Sequence, residues 1–146
     1  MQQHVMERFT QQFGADPSLC IRSPGRVNII GEHTDYNEGF VFPMALECAT
    51  WLAILPRQDS RIEIYSDLQH ERVSLDFTQL KKPGEDVQWQ DYIAGVVHVL
   101  QDHFGQPLKG FDGYVMSDVP MGAGLSSSAS FELAVARALC ASNDLD

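Results

Sequence analysis

Between Phe111 and Ala141 the chain passes from an apolar segment, Phe111 to Ser117, through a glycine- and proline-rich turn, Val119 to Gly124. It then enters an alanine-rich stretch, Leu125 to Ala141, that opens on three serines. That order predicts a strand, a tight turn and a helix in direct succession. A strand needs partners, and the preceding residues supply them. Leu19 to Ser23 alternates apolar and polar residues, Pro24 and Gly25 interrupt it, and Val27 to Ile30 reads as its continuation. Phe40 to Phe42, Cys48 to Leu55, Arg61 to Ser66 and Arg72 to Phe77 have the β-branched or alternating character of strands in a mostly antiparallel sheet. Val5, Met6, Phe9 and Phe13 share one helical face before Gly14 and Pro17, which predicts a first helix acting as a brace. Trp89, Tyr92, Ile93, Val96, Val97, Leu100 and Phe104 recur at steps of three and four, which predicts a second helix covering the sheet. Lys81 to Asp86 reads as a solvated connector, and no internal repeat or low-complexity segment interrupts the pattern.

At 146 residues the chain has material for one modest domain. A domain of this size buries roughly 70% of its unfolded surface, and two catalytic domains would be a tight fit. Ten Lys and Arg against twenty Asp and Glu give a formal charge of -10, without a local basic cluster, so neither nucleic acid nor an anionic membrane is an expected partner. Cys20, Cys48 and Cys140 are odd in number, far apart and set among apolar residues, as packing thiols in a reducing compartment are. The N-terminus has no basic start, and no apolar run approaches the roughly 18 residues of a membrane span, so a cytoplasmic location is expected.

Two polar stretches carry the chemistry. In Pro120, Met121, Gly122, Ala123, Gly124, Leu125, Ser126, Ser127 and Ser128, small residues let the backbone approach a ligand, and the helix start behind them offers free N–H groups and a positive dipole end. The alternative is a glycine turn before a well-capped helix. A Walker loop would need a Lys before its Ser or Thr, a dinucleotide fingerprint a glycine at Ser127, and a hydrolase elbow a glycine at Ser128.

The second stretch runs from Ser23 through Asn37 and includes the polar loop Gly31 to Gly39. Glu32 and Asp35 offer carboxylate acceptors and His33 a further polar contact, a set suited to a polyhydroxylated ligand. A polar surface turn is the alternative. Metal binding by Glu32, His33 and Asp35 is a weaker rival, because near-adjacent loop residues rarely point at one ion. Arg26 could be an ion-pair residue, or a fixed positive charge beside a transferred phosphoryl group.

Gly25 through Tyr36, read as Gly, Arg, Val, Asn, Ile, Ile, Gly, Glu, His, Thr, Asp, Tyr, resembles the galactokinase signature, and Pro120 through Ser130 resembles the phosphate-binding motif of the GHMP kinases. The likeness extends over the whole chain, including the helix with Trp89, Tyr92 and Gly95. It implies an α+β GHMP kinase N-terminal domain over residues 1–146, with a galactose-binding signature at 23–37 and an ATP phosphate-binding motif at 120–130. By the same resemblance Glu32, His33, Thr34 and Asp35 would contact galactose, and Arg26 would stabilise the transition state. Gly122, Ala123, Gly124, Leu125, Ser126, Ser127 and Ser128 would hold ATP, with Ser128 reaching Mg2+. The implied reaction is phosphorylation of galactose to galactose 1-phosphate.

The family's aspartate base, second magnesium carboxylate, third glycine-rich motif and C-terminal domain have no counterpart before Asp146. The expectation is therefore an incomplete chain, inactive by itself, with a partly apolar surface left open. Two alternatives stay open: a non-catalytic sensor binding galactose and ATP, and a kinase for N-acetylgalactosamine. The oligomeric state is not readable from the residues.

Overall fold

The computed structural model describes residues 1–31, 33–80 and 86–145, with the main chain alone at Asp35. Glu32 and Asp146 lie outside the described residues, as does most of the expected connector at Lys81 to Asp86. In chain order the elements are α1 (Gln2–Phe13), β1 (Leu19–Ile30), a short 3-10 turn (Asp35–Asn37), β2 (Phe42–Pro56), β3 (Arg61–Ser66), β4 (Glu71–Asp76), α2 (Trp89–Phe104), β5 (Phe111–Ser117) and α3 (Ser127–Ser142).

The strands form one sheet in the order β1-β2-β5-β3-β4. Every neighbouring pair is antiparallel except β3 with β5, which run parallel. The sheet is therefore mostly antiparallel with covering helices, as the residue pattern predicts.

Helices cover both faces, and the two-residue period of β2 sorts its side chains between them. Leu52 and Ile54 join Ile62, Ile64, Phe111 and Val115 beneath α2 and α3, which contribute Ile93, Val97, Val135 and Leu139. Trp51, Ala53 and Leu55 face the other way, onto Val5 and Phe9 of α1. Burial on both faces explains why Ala49 to Leu55 reads as a nearly unbroken apolar run.

Pro24 and Gly25 interrupt β1 without ending it, as the residue pattern predicts: they sit in a register shift against β2 between Pro24 and Arg26, and the strand continues beyond. One strand boundary differs from the sequence expectation. Phe42 and Cys48 belong to a single long β2, so β1 and β2 form an extended hairpin whose tip reaches beyond the end of β5. The three cysteines are free thiols, half-buried rather than fully enclosed, and burial pushes the Cys20 thiol pKa up. Among the described residues no helix is long and apolar enough to cross a membrane.

Candidate active site

The turn after β5 is held from below. Asp118 exchanges bonds with Ala49, whose N–H donates to Asp118 Oδ1 at 2.6 Å. Val119 is buried, whereas Met121 to Gly124 stand in solvent. Gly122, Gly124 and Ser126 adopt positive φ of 71°, 72° and 60°, so the backbone alternates in and out of the left-handed region up to the helix. Leu125, expected inside α3, therefore belongs to this loop, and the helix starts at Ser127.

The starts of α2 and α3 are finished differently. At α2 a capping box closes the end: Gln88 accepts from the Asp91 backbone, and the Asp91 carboxylate accepts from the Gln88 N–H at 2.7 Å. At α3 no side chain caps the helix, despite three consecutive serines, and the first turn holds no acidic residue. Among the described residues, no hydrogen-bonding partner engages the hydroxyl of Ser126, Ser127 or Ser128, so N–H groups, hydroxyls and the positive dipole end all remain on offer. The alternative of a well-capped helix does not describe this end.

β1 meets the loop directly. The Arg26 N–H donates to the Leu125 carbonyl at 3.1 Å. Gly25 sits so close that a Cβ there would lie 3.1 Å from the Leu125 oxygen and 3.2 Å from Val119 Cγ1. A side chain there would push the neighbouring loop back by a few tenths of an ångström, and the glycine's own φ lies outside the left-handed region. The Arg26 side chain, half-buried, makes no ion pair among the described residues. Further along the strand, Asn28 Oδ1 is buried without a hydrogen-bond partner, just before a second register shift in β1.

At the tip of the hairpin the loop after Ile30 is folded around Thr34. Its hydroxyl contacts the carbonyls of both Gly31 and Phe40 at 2.9 Å, and its own carbonyl accepts the Gly39 N–H at 2.8 Å. Gly31, at φ 101°, could not carry a side chain, because a Cβ would lie 2.5 Å from the Phe40 oxygen. The Thr34 hydroxyl is consequently engaged inside the loop. His33 is exposed, its Nδ1 2.9 Å from the Tyr36 hydroxyl. Glu32 lies outside the described residues, and of Asp35 only its position in the 3-10 turn is described. Around this tip Ile30, Phe40, Phe42 and Met44 are exposed, Phe40 at 99%.

A cleft of about 210 Å³ opens beside Ser127 and Ser128, walled by Leu68, Trp89, Tyr92 and Phe131. Trp89 tilts against Phe131 with ring centroids 6.1 Å apart. The helical period of α2 reads these aromatics as sheet cover; Ile93 and Val97 do that, while Trp89 and Tyr92 sit at the edge and line the cleft. Their place at the first turn of α2 is the one signal that could have singled them out.

Residues 7–56 match the galactokinase galactose-binding signature and residues 91–146 the N-terminal domain of the GHMP kinases. The galactokinase of Lactococcus lactis, solved in complex with galactose, superposes with a TM-score of 0.78 at 37% identity, over 91% of this chain and 35% of that one. A mevalonate kinase at 21% identity shares the fold, with a TM-score of 0.74 over 88% of this chain and 42% of that one. Fold and loops together define the N-terminal domain of a GHMP kinase.

Among the curated proteins, a galactokinase of a Roseiflexus species is 46% identical over 90% of this chain and 33% of its own length, and the human galactokinase is 43% identical over 86% and 33%. The chain belongs to the galactokinase family, and it spans about a third of the length of those relatives.

Proposed function

We propose that this chain forms the nucleotide- and sugar-holding part of a galactokinase, which transfers the γ-phosphoryl group of ATP to the anomeric hydroxyl of galactose and releases galactose 1-phosphate. The observation that carries the reading is the open start of α3: an uncapped helix end without acidic residues, preceded by a loop with every second residue left-handed. Such an end is suited to the oxygens of a triphosphate. In this reading Gly122 to Ser128 cradle the phosphates, and the aromatic cleft of Trp89, Tyr92 and Phe131 takes the base.

Arg26 is tied through its own backbone to the phosphate loop, so its charge has a fixed origin relative to the phosphates, as stabilisation of a developing phosphoryl charge requires. In this reading Glu32, His33 and Asp35 are the sugar-binding residues, and Thr34 shapes the loop that carries them. Two thirds of a relative's length lies beyond this chain's span, and the reading assigns the proton-accepting carboxylate to that part.

Among the described residues no cluster of three His, Cys, Asp or Glu side chains could hold a metal ion. Mg2+ fits here only as the companion of the nucleotide, with the unengaged Ser128 hydroxyl as the ligand this chain contributes, and there it would neutralise phosphate charge.

The test is calorimetric titration of the chain with MgATP, galactose and N-acetylgalactosamine, followed by a phosphorylation assay of a full-length form. Binding of MgATP and galactose, with galactose 1-phosphate as product, is expected. Preference for the amino sugar would replace galactose in the assignment, and ligand binding without turnover in the full-length form would favour the sensor reading.

A further inference from the structure

Ser130 is only 1% exposed and lies on the inward side of α3, whose other buried residues there are Ala134, Val135, Ala138 and Leu139. Its hydroxyl lies 2.7 Å from the Ser23 carbonyl, 2.8 Å from Thr50 Oγ1 and 3.3 Å from the Thr50 main-chain N. Ser23 and Thr50 are register partners across β1 and β2, so a helix side chain bridges the main-chain groups of a strand pair.

The protons can be assigned, because a hydroxyl has one to give and a carbonyl none. Ser130 donates to the Ser23 carbonyl and accepts from both the N–H and the hydroxyl of Thr50. Thr50 Oγ1 then accepts from the Ser117 hydroxyl at 3.1 Å, and Ser117 Oγ accepts the Val119 N–H at 3.2 Å. All donors point one way, from the entrance of the phosphate loop to β1. The chain ends at Ser23, next to the register shift between Pro24 and Arg26, where the Arg26 N–H turns to Leu125.

We propose that Ser130 is a positioning residue: its hydroxyl holds the Val119–Ser126 loop at a fixed register on β1 and so sets the spacing between the open start of α3 and Arg26. The consequence for ligand binding rests on the kinase reading of the loop; the mechanical coupling does not.

Ser130→Ala removes the group at nearly constant volume, and Ser130→Cys replaces it with a somewhat larger, weak donor and acceptor. Val97→Ala, in the buried core of α2, supplies a destabilised control outside the chain of hydroxyls. Amide hydrogen exchange at Arg26 and Val119, compared at matched global stability, should show about ten-fold less protection in both Ser130 variants than in the control, and MgADP affinity should fall by about the same factor. Protection in the Ser130→Cys variant within roughly two-fold of the control would overturn the proposal. If exchange changes as expected while the unmodified chain binds no MgADP, the coupling stands and the kinase reading falls.

Discussion

The base of the β1–β2 hairpin and its tip carry the two halves of the candidate site, and they are held in different ways. At the base, the glycine-rich loop after β5 is joined to β1, β2 and α3 by the hydroxyls of Ser117, Thr50 and Ser130, of which the last two are buried, and by the Arg26–Leu125 backbone bond. At the tip, the loop after Ile30 is held by bonds within itself, centred on Thr34, and is surrounded by exposed apolar side chains. The base should therefore open only with the core, whereas the tip can rearrange without unfolding anything else. A triphosphate needs a rigid cradle; a sugar loop stabilised locally leaves its final shape open to whatever packs against it.

The largest effect expected from this contrast is at the tip. In Gly31→Ala a Cβ would meet the Phe40 oxygen at a backbone conformation that side chains rarely adopt, so galactose affinity should fall by roughly a hundred-fold. Global stability and nucleotide affinity should hardly change. Titration of both ligands with a thermal melt checks this, and an equal loss of nucleotide binding would show that tip and base are one unit.

Gly25→Ala makes the complementary cut at the base. Its Cβ must displace Leu125 or Val119, which should destabilise the fold by about 1–3 kcal/mol and weaken MgADP binding by roughly ten-fold or more. Stability and affinity should fall together in denaturant unfolding and titration; a loss of affinity alone would mean that the base, too, is locally held.

Thr34→Val removes a hydroxyl shared by two carbonyls in an exposed loop, worth about 1 kcal/mol, so galactose binding should weaken by roughly five-fold with nucleotide binding unchanged. The same pair of titrations resolves it, and unchanged galactose binding would mean that the two glycines alone define the turn.

The smallest effect lies at neither region. Beyond the opposite end of β2, hydrogen bonds from Arg57 hold the Asp59 carboxyl down to about 2, below its ordinary value of 3.8. A carboxylate whose folded pKa is depressed stabilises above its unfolded pKa, and that contribution disappears as pH falls through the folded value. Unfolding followed between pH 3.8 and about 2 should show a slight acid loss that Asp59→Asn removes, with ligand binding at neutral pH untouched.

Much of this was legible from the residues because it depends on local pattern. The aromatic period of α2, the apolar run of β2 and the glycine turn after β5 each point to their element through neighbours within a few positions. Legibility ended where contacts cross the sheet. Nothing near Gly25 in the chain shows that its missing side chain makes room for Leu125, and Ser130 reads as one more small residue in an alanine-rich helix. The position of Thr34 in the chain places it among the expected sugar contacts, whereas its hydroxyl faces Gly31 and Phe40.

By itself, then, the sequence determined the elements, their order, the two polar loops and the family to which they belong, since periodicity and motif spacing are properties of neighbouring residues. Only the tertiary structure decided that the glycine-rich loop rests on β1, that the serines of α3 leave its end uncapped, and that an aromatic cleft adjoins it. Each of those depends on how strands and helices distant in sequence pack against one another, and no local pattern encodes that.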